Sequence, residues 1–120
     1  MKVLIPSNYD LKGGAARATY RLHQGLQNIG VDSQILAAYK SSNDASVLEL
    51  PEKFGRKFKN FRARLNRLPL KVYPKLGQVI FSPQWVPDSL ASAVAKINPD
   101  VINLHWVCEG YMQIETLPKF

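Results

Sequence analysis

Apolar and polar residues follow one another along the chain in blocks that favour strands and helices in turn. The apolar run from Lys2 to Pro6 predicts a short buried strand. The segment from Gly14 to Ile29 predicts a helix, because its apolar residues recur at steps of three and four; they are Ala15, Ala18, Leu22, Leu26 and Ile29. Gly30 then predicts the end of this helix, since glycine readily adopts the left-handed conformation found there.

The same alternation continues downstream. Ser33 to Tyr39 and Val47 to Leu50 predict two further strands, and the polar segment Ser41 to Ser46 between them predicts a loop. Pro87 to Ile97 predicts another helix, and Val101 to His105 predicts a buried strand after it. Strands that alternate with helices indicate a parallel sheet covered by helices on both faces. We therefore expect an α/β protein with a Rossmann-like, doubly wound sheet.

The most informative motif lies between the first strand and the first helix. Gly13 and Gly14 lack side chains, so a bound group can approach the backbone there, and the N–H groups of the first helical turn favour an anion. A structural glycine turn explains the same pair and stays an alternative. The spacing does not match G-x-G-x-x-G, and the second strand ends at Lys40 without an acidic residue for a ribose, which argues against a nicotinamide or flavin enzyme.

The topology of such a sheet brings two parts of the sequence together. In doubly wound sheets, ligands bind beyond the carboxyl ends of the strands, where the strand order reverses. This rule places the Gly13-Gly14 turn and the segment at His105 and Trp106 in one crevice. The sequence therefore predicts a single ligand site built from both.

Composition limits the classes of protein to consider. The chain has 120 residues, a length suited to one domain, and the longest apolar runs are far shorter than the roughly 20 residues that span a bilayer. The opening residues are too short an apolar run for a signal peptide, so we expect a cytoplasmic protein. The single cysteine, Cys108, has no partner for a disulfide, and the Cys and His spacing predicts neither a metal site nor a cofactor.

The positive charge is concentrated in one segment. The net charge is +7, and the stretch from Lys53 to Lys75 carries nine Lys and Arg residues and no Asp or Glu. Its apolar residues fall on one stripe of a helix; they are Phe54, Phe58, Phe61, Leu65 and Leu68. This pattern is typical of a helix at an anionic membrane surface, and the predicted contact residues are Phe54, Arg56, Lys57, Phe58, Lys59, Phe61 and Arg62.

Two other interpretations of this basic helix stay open. The apolar stripe can pack on the sheet and leave the charges in solvent. Clustered Lys and Arg also bind nucleic acid, but no recognition motif accompanies them, and we expect no nucleic acid partner.

Several of these motifs together resemble a known family. They are Asp10-x-x-Gly13-Gly14-Ala15-Ala16-Arg17-Ala18, Arg21-Leu22-His23-x-Gly25-Leu26, Gly30-x-x-Ser33 and Pro99-Asp100-Val101-Ile102-Asn103-Leu104-His105-Trp106. From Met1 to about Glu115 the chain is similar to the start of a family-4 glycosyltransferase with the GT-B fold. The closest branch is the bacterial one that builds exopolysaccharides, including the colanic acid type.

The resemblance implies an activity and a set of site residues. Such enzymes transfer a sugar from a nucleotide-activated donor to a saccharide or lipid-linked acceptor, with retention of anomeric configuration and usually without a metal. By analogy, Gly13, Gly14 and Arg17 would approach the donor phosphate. The acceptor side would be lined by His105, Trp106, Glu109 and Tyr111. The basic helix would hold the protein on the inner face of a membrane that carries the acceptor.

The chain also departs from the family pattern. The family's catalytic histidine and its donor-binding Glu-x7-Glu motif both belong to parts of the pattern that lie beyond Phe120. Residues 1–120 thus correspond to part of the N-terminal domain, without the donor-binding domain, and we expect no activity from them alone. An early end of the sheet would leave an open strand edge, which favours a homodimer. The alternative is a non-catalytic module that binds an anion or a sugar and attaches to a membrane or partner through the basic helix.

Overall fold

The protein is described by a computed structural model. It describes residues 1–51, 55–73 and 82–120, and within 55–58 only the backbone. The predicted membrane-contact residue Phe54 lies outside the described residues, as do the side chains of Arg56, Lys57 and Phe58.

The described residues form four strands, three α-helices and two short 3-10 helices. The strands are β1 (Lys2–Tyr9), β2 (Asp32–Tyr39), β3 (Val47–Glu49) and β4 (Val101–Ile102). The α-helices are α1 (Gly13–Asn28), α2 (Gly55–Asn66) and α3 (Leu90–Ile97). The 3-10 helices cover Leu68–Val72 and Ile114–Lys119.

The four strands make one parallel sheet in the order β3-β2-β1-β4. From β1 the chain proceeds through β2 to β3 on one side, and β4 pairs with the other side of β1. The strand order therefore reverses between β1 and β4, and this is the position where parallel sheets bind ligands. The structure thus confirms the predicted α/β fold with a Rossmann-like parallel sheet.

Alternate residues of the central strands pack on opposite faces of the sheet. Val3 and Ile5 of β1 belong to a buried cluster that includes Tyr20 and Leu26 of α1. Leu4 between them belongs to the other cluster, which includes Leu90 of α3. Because helices cover both faces of the sheet, the two central strands carry unbroken apolar runs, 3–6 in β1 and 35–38 in β2.

The helix ends follow from the residues found there. Gly30, with φ of +81°, lies just beyond α1, as predicted. Asn98 ends α3 in the left-handed conformation, and at the other end of that helix Asp88 Oδ1 accepts a hydrogen bond of 2.9 Å from the backbone N–H of Leu90. The predicted strand Val101 to His105 is shorter in the structure, but its end still meets β1, because His105 forms an isolated bridge with Ser7.

The buried face of α1 differs from the apolar stripe that the sequence suggested. Ala16, Thr19 and His23 are the buried residues, whereas Ala18 is exposed and Ile29 is 76% exposed. Two of the buried residues are polar, and hydrogen bonds allow them to be there. His23 lies between the hydroxyls of Ser33 and Ser46, at 2.9 and 2.8 Å. Hydrophobic periodicity misses such a face because it counts polar side chains as exposed.

The same reversal occurs in α2. Among its residues with described side chains, 59–66, the buried ones are Lys59, Arg62 and Asn66, whereas Phe61 is 56% exposed. Lys59 Nζ donates hydrogen bonds to the carbonyl of Ala38 at 2.6 Å and to Glu49 at 2.9 Å. The two long basic side chains are therefore part of the interior, where paired charges and carbonyl acceptors stabilise them.

Candidate ligand-binding groove

A groove of about 460 Å³ opens at the carboxyl end of β1. Its described lining residues come from the end of β1, the first turn of α1 and the loop after β4; they are Ser7, Tyr9, Lys12, Gly13, Gly14, Ala15, Ala16, Trp106 and Glu109. The volume lies within the range typical of small-molecule sites. The predicted meeting of the glycine turn and the segment at Trp106 is therefore present in the structure.

The two glycines contribute to the groove in different ways. Gly13 has φ of +91°, a conformation that strains any residue with a side chain, so the turn itself explains this glycine. Gly14 has no such requirement, and a Cβ placed on it would meet no atom within 4 Å. Neither packing nor backbone conformation demands a glycine at position 14. Gly14 does line the groove, and the absence of a side chain leaves its backbone accessible there.

The first turn of α1 presents its backbone to the groove without competition from side chains. Lys12, the residue before the helix, makes no side-chain cap, and the first turn contains no acidic residue. The backbone N–H groups at the start of a helix lack partners within the helix and carry a partial positive charge. This end of the groove is therefore suited to an anion.

Lys12 is a groove residue that the sequence interpretation missed. Its ammonium group lies 5.4 Å from the centroid of the Tyr9 ring, in a cation–π contact that holds the charge beside the glycine turn. The feature of the sequence that could have identified Lys12 as a groove residue is its position directly before Gly13. Tyr9 in turn stacks on Tyr39, with ring centroids 5.2 Å apart, and Lys59 lies 5.8 Å from the Tyr39 ring. The stack links the groove to α2.

The opposite wall is the loop after β4, in which Trp106 is 46% exposed. The backbone of Trp106 is left-handed, with φ of 43°, which is rare for a bulky residue. Asn8, at the end of β1, holds this loop in place. Its backbone N–H donates to the carbonyl of Trp106 at 3.3 Å, and its side-chain amide donates to the carbonyl of Cys108 at 3.0 Å. These hydrogen bonds hold the backbone of the loop that carries Trp106 against the end of β1.

Glu109 supplies the acidic group of the groove, and its backbone is also left-handed, with φ of 58°. The N–H of Glu109 donates to Ser82 Oγ at 2.8 Å, and Arg67 of the segment after α2 lies 3.2 Å from its carboxylate. Burial raises the pKa of the Tyr9 phenol, and the Glu109 carboxylate raises it further. The groove thus combines a helix N-terminus at one end with an acidic and aromatic wall.

Two predicted site residues lie elsewhere. Arg17 is exposed on α1 and is not among the described lining residues of the groove. His105 is half-buried on the strand side of the loop, where its backbone N–H donates to the carbonyl of Pro6 at 2.9 Å, and it too is outside the described lining.

The prediction that Tyr111 contacts an acceptor is corrected by its burial. The residue is 3% exposed and belongs to the hydrophobic core next to α3. Its hydroxyl donates a hydrogen bond of 2.7 Å to the carbonyl of Leu36 in β2. Burial strongly raises the pKa of this phenol. Tyr111 is therefore a core residue that has no access to a ligand.

The prediction that Lys59 and Arg62 contact a membrane is corrected in the same way. They are 8% and 7% exposed, and Arg62 donates from its guanidinium to the carbonyls of Pro87 and Gly110. Beside them is a second cavity of about 20 Å³, enough for about one water molecule. Phe61 keeps an exposed position on the other side of the helix.

Asp10, the first residue of the glycine motif, is structural. Its buried carboxylate accepts hydrogen bonds from the backbone N–H groups of Ser41, at 3.0 Å, and Ser42, at 2.7 Å. Burial by itself raises the pKa of Asp10, but the hydrogen bonds donated by Ser42 and Ser41 lower it, and the pKa lies below its ordinary value. The ionised side chain therefore fixes the loop after β2 against the loop before α1.

Comparison of the chain with models of known protein families, with curated proteins and with solved structures finds no significant match. In the described ranges, no cluster of three or more His, Cys, Asp or Glu side chains is arranged to hold a metal ion. A search of those same residues finds no helix with the length and apolar character needed to cross a membrane. The assignment of function therefore depends on the groove.

Proposed function

We propose that the chain is the acceptor-side, N-terminal part of a retaining glycosyltransferase with the GT-B fold, which uses a nucleotide sugar in the synthesis of cell-surface polysaccharide or glycolipid. The observation that carries the proposal is Gly14. Gly14 lines the groove at the first turn of α1, although neither the turn nor the packing requires a glycine there. A diphosphate is an anion suited to such a helix N-terminus.

The residues of the groove divide into two roles. Gly13, Gly14 and Lys12 would face the donor diphosphate, whose negative charge increases as the sugar departs. Trp106 and Glu109 would contact the acceptor, because a sugar has apolar faces that pack on an aromatic ring and hydroxyls that donate to a carboxylate. Catalysis by this half of the enzyme would consist of positioning and charge stabilisation. The donor-binding domain would supply the remaining contacts.

The exposed side of α2 is proposed as the attachment to a membrane. With Lys59 and Arg62 buried, the exposed apolar residues Phe61 and Leu68 are joined by the exposed cations Arg64, Arg67 and Lys71. Basic and apolar side chains on one exposed surface are typical of reversible binding to anionic lipid. Such binding would place the groove at the inner face of a membrane that carries a lipid-linked acceptor.

The second candidate is a non-catalytic module that binds an anion or a sugar. The same groove supports it, since neither the helix N-terminus nor Trp106 requires a reaction after binding. The two functions differ in the sequence expected beyond Phe120 in the gene. A reading frame that continues into a His-Asp pair and a later Glu-x7-Glu would favour the enzyme, and a stop codon there would favour the module. The homodimer suggested by an open sheet edge stays a prediction in both cases.

Binding of inorganic pyrophosphate, the group that all nucleoside-diphosphate sugars share, tests the groove. Isothermal titration should show weak binding to the wild-type chain and binding weaker by about fivefold or more in Gly14→Ala, because the added methyl group enters the groove. Gly25→Ala is the matched control, since Gly25 lies exposed on the same helix with open space around it and outside the groove. Equal affinities for the two variants would reject Gly14 as a binding position.

A further inference from the structure

The region of α2 is joined to the groove wall by two arginines. Arg62 donates to the carbonyl of Gly110 at 3.0 Å, and Arg67, just after the helix, donates to the Glu109 carboxylate at 3.2 Å. The first contact is buried, because Arg62 is 7% exposed. The second is open to solvent, since the side chain of Arg67 is 65% exposed while that of Glu109 is 28% exposed. An external anion can therefore replace Glu109 as the partner of Arg67 more readily than it can replace the Gly110 carbonyl as the partner of Arg62.

Arg67 is the arginine that a competing anion can reach. Exposed ion pairs contribute little net stability, so an external anion displaces such a pair without a large cost. Arg67 also belongs to the exposed basic and apolar surface, where Arg64 and Lys71 are its basic neighbours along the chain and Phe61 and Leu68 are apolar. The partner complementary to that combination is an anionic lipid surface, because its headgroups attract the cations and its interface accepts the apolar side chains.

We propose that Arg67 is shared between Glu109 and an anionic lipid surface, so that docking of the region around α2 releases the Glu109 carboxylate into the groove. The inference rests on the proposed function in taking the groove as the ligand site. While Arg67 pairs with Glu109, the carboxylate is partly neutralised. Once headgroups bind Arg67, the carboxylate keeps its hydrogen bond from the Tyr9 phenol but loses the neighbouring cation, and its remaining lone pairs can accept a hydrogen bond from a sugar hydroxyl. Lipid docking would then favour the acceptor and oppose an anion at the glycine turn.

Quenching of Trp106 fluorescence by iodide reports the charge of the groove wall without any ligand. A Trp85→Phe background leaves Trp106 as the single tryptophan of the chain. Loss of the neutralising arginine in Arg67→Gln should lower the iodide quenching constant about 1.5- to 2-fold, as expected for one charge acting through solvent. Glu109→Gln should raise the constant. In the Glu109→Gln background Arg67→Gln should have a smaller effect, close to that of the control Arg64→Gln, because no carboxylate then holds Arg67 beside the groove wall. Arg64 is a suitable control because it is an exposed cation of the preceding helix.

Vesicles test the lipid part of the proposal. Vesicles that contain phosphatidylglycerol should lower iodide quenching of wild-type Trp106 more than that of Glu109→Gln, whereas pure phosphatidylcholine vesicles should leave both unchanged. Inorganic phosphate at the same concentration as the lipid phosphate is the control for a free anion. An equal response to soluble phosphate would overturn the lipid surface as the partner, and equal effects in wild type and Glu109→Gln would overturn the sharing of Arg67.

Pyrophosphate binding separates the inference from the proposed function. Arg67→Gln should weaken pyrophosphate binding by about two- to fivefold, the range that an exposed ion pair corresponds to, and should have no such effect in a Glu109→Gln background. Absence of pyrophosphate binding in every variant, together with a coupled iodide response, would reject the proposed function and keep the link between Arg67 and Glu109. If pyrophosphate binds but the effect of Arg67→Gln on iodide quenching does not depend on Glu109, the link between Arg67 and Glu109 is rejected and the proposed function is kept.

Discussion

The glycine turn before α1 and the basic helix α2 are the two chemically distinctive regions of the chain, and they differ in how directly sequence determines exposure. At the turn the backbone itself faces the groove, so Gly13 and Gly14 are where the sequence predicted them. In α2 the long side chains of Lys59 and Arg62 extend into the interior, and Phe61 is exposed instead. Charge alone does not place a residue at the surface when buried carbonyl groups are available to accept its hydrogen bonds.

The largest expected effect tests the burial of α2 directly. Arg62→Ala should lower the free energy of unfolding by about 2–4 kcal/mol, because it removes a buried charged side chain that donates to the buried carbonyl of Gly110 and the partly buried carbonyl of Pro87. Arg64→Ala, on the exposed side of the same helix, should change it by less than about 0.5 kcal/mol. Urea denaturation of both variants measures the difference. Equal effects would mean that Arg62 is at the surface, as the charge pattern of the sequence suggested.

Tyr111→Phe tests the assignment of that residue to the core. The change removes the hydroxyl that donates to the carbonyl of Leu36 and leaves a buried acceptor without its partner. We expect a loss of about 1–2 kcal/mol in the free energy of unfolding. Pyrophosphate and saccharide binding should be unchanged. A stable variant that loses saccharide binding would return Tyr111 to the acceptor site.

Two of the glycines that the sequence located correctly are ones that backbone geometry demands. Gly30 and Gly13 have positive φ angles. A sequence pattern that predicts a boundary between a helix and a strand also predicts a glycine in this conformation there. The sequence analysis gave no role to Asn8 and the wrong one to Tyr111, because their roles depend on partners 100 and 75 positions away, namely Cys108 and Leu36. No local pattern encodes contacts between residues so distant in sequence. The sequence therefore predicted where the groove lies in the fold, but only some of the residues that line it.

A smaller effect concerns the polar face of α1. Burial lowers the pKa of His23, although Asp44 partly opposes the shift. The unfolded chain then binds a proton more readily than the folded one, so stability should fall as the pH drops below about 6.5, the ordinary pKa of histidine. The Asp44 carboxylate affects stability only at lower pH, since hydrogen bonds from Ser46 and Tyr20 hold its pKa at about 2.

The two histidines of the chain provide the control for this pH dependence. His23→Gln should flatten the loss of stability between about pH 6.5 and 5, whereas His105→Gln should retain it. Thermal unfolding at a series of pH values measures both. A wild-type melting temperature that rises as the pH falls through this range would show that the charged form of His23 is the one the fold prefers.

Backbone amide NMR during a titration with pyrophosphate tests the account most directly, because it maps the binding position without altering the chain. We predict that the largest shifts occur at Gly13, Gly14 and Ala15, and that smaller ones occur at Trp106 and Glu109 across the groove. Shifts confined to the basic residues of α2 and the segment after it, with the glycine turn unchanged, would contradict the claim that the groove is the ligand site.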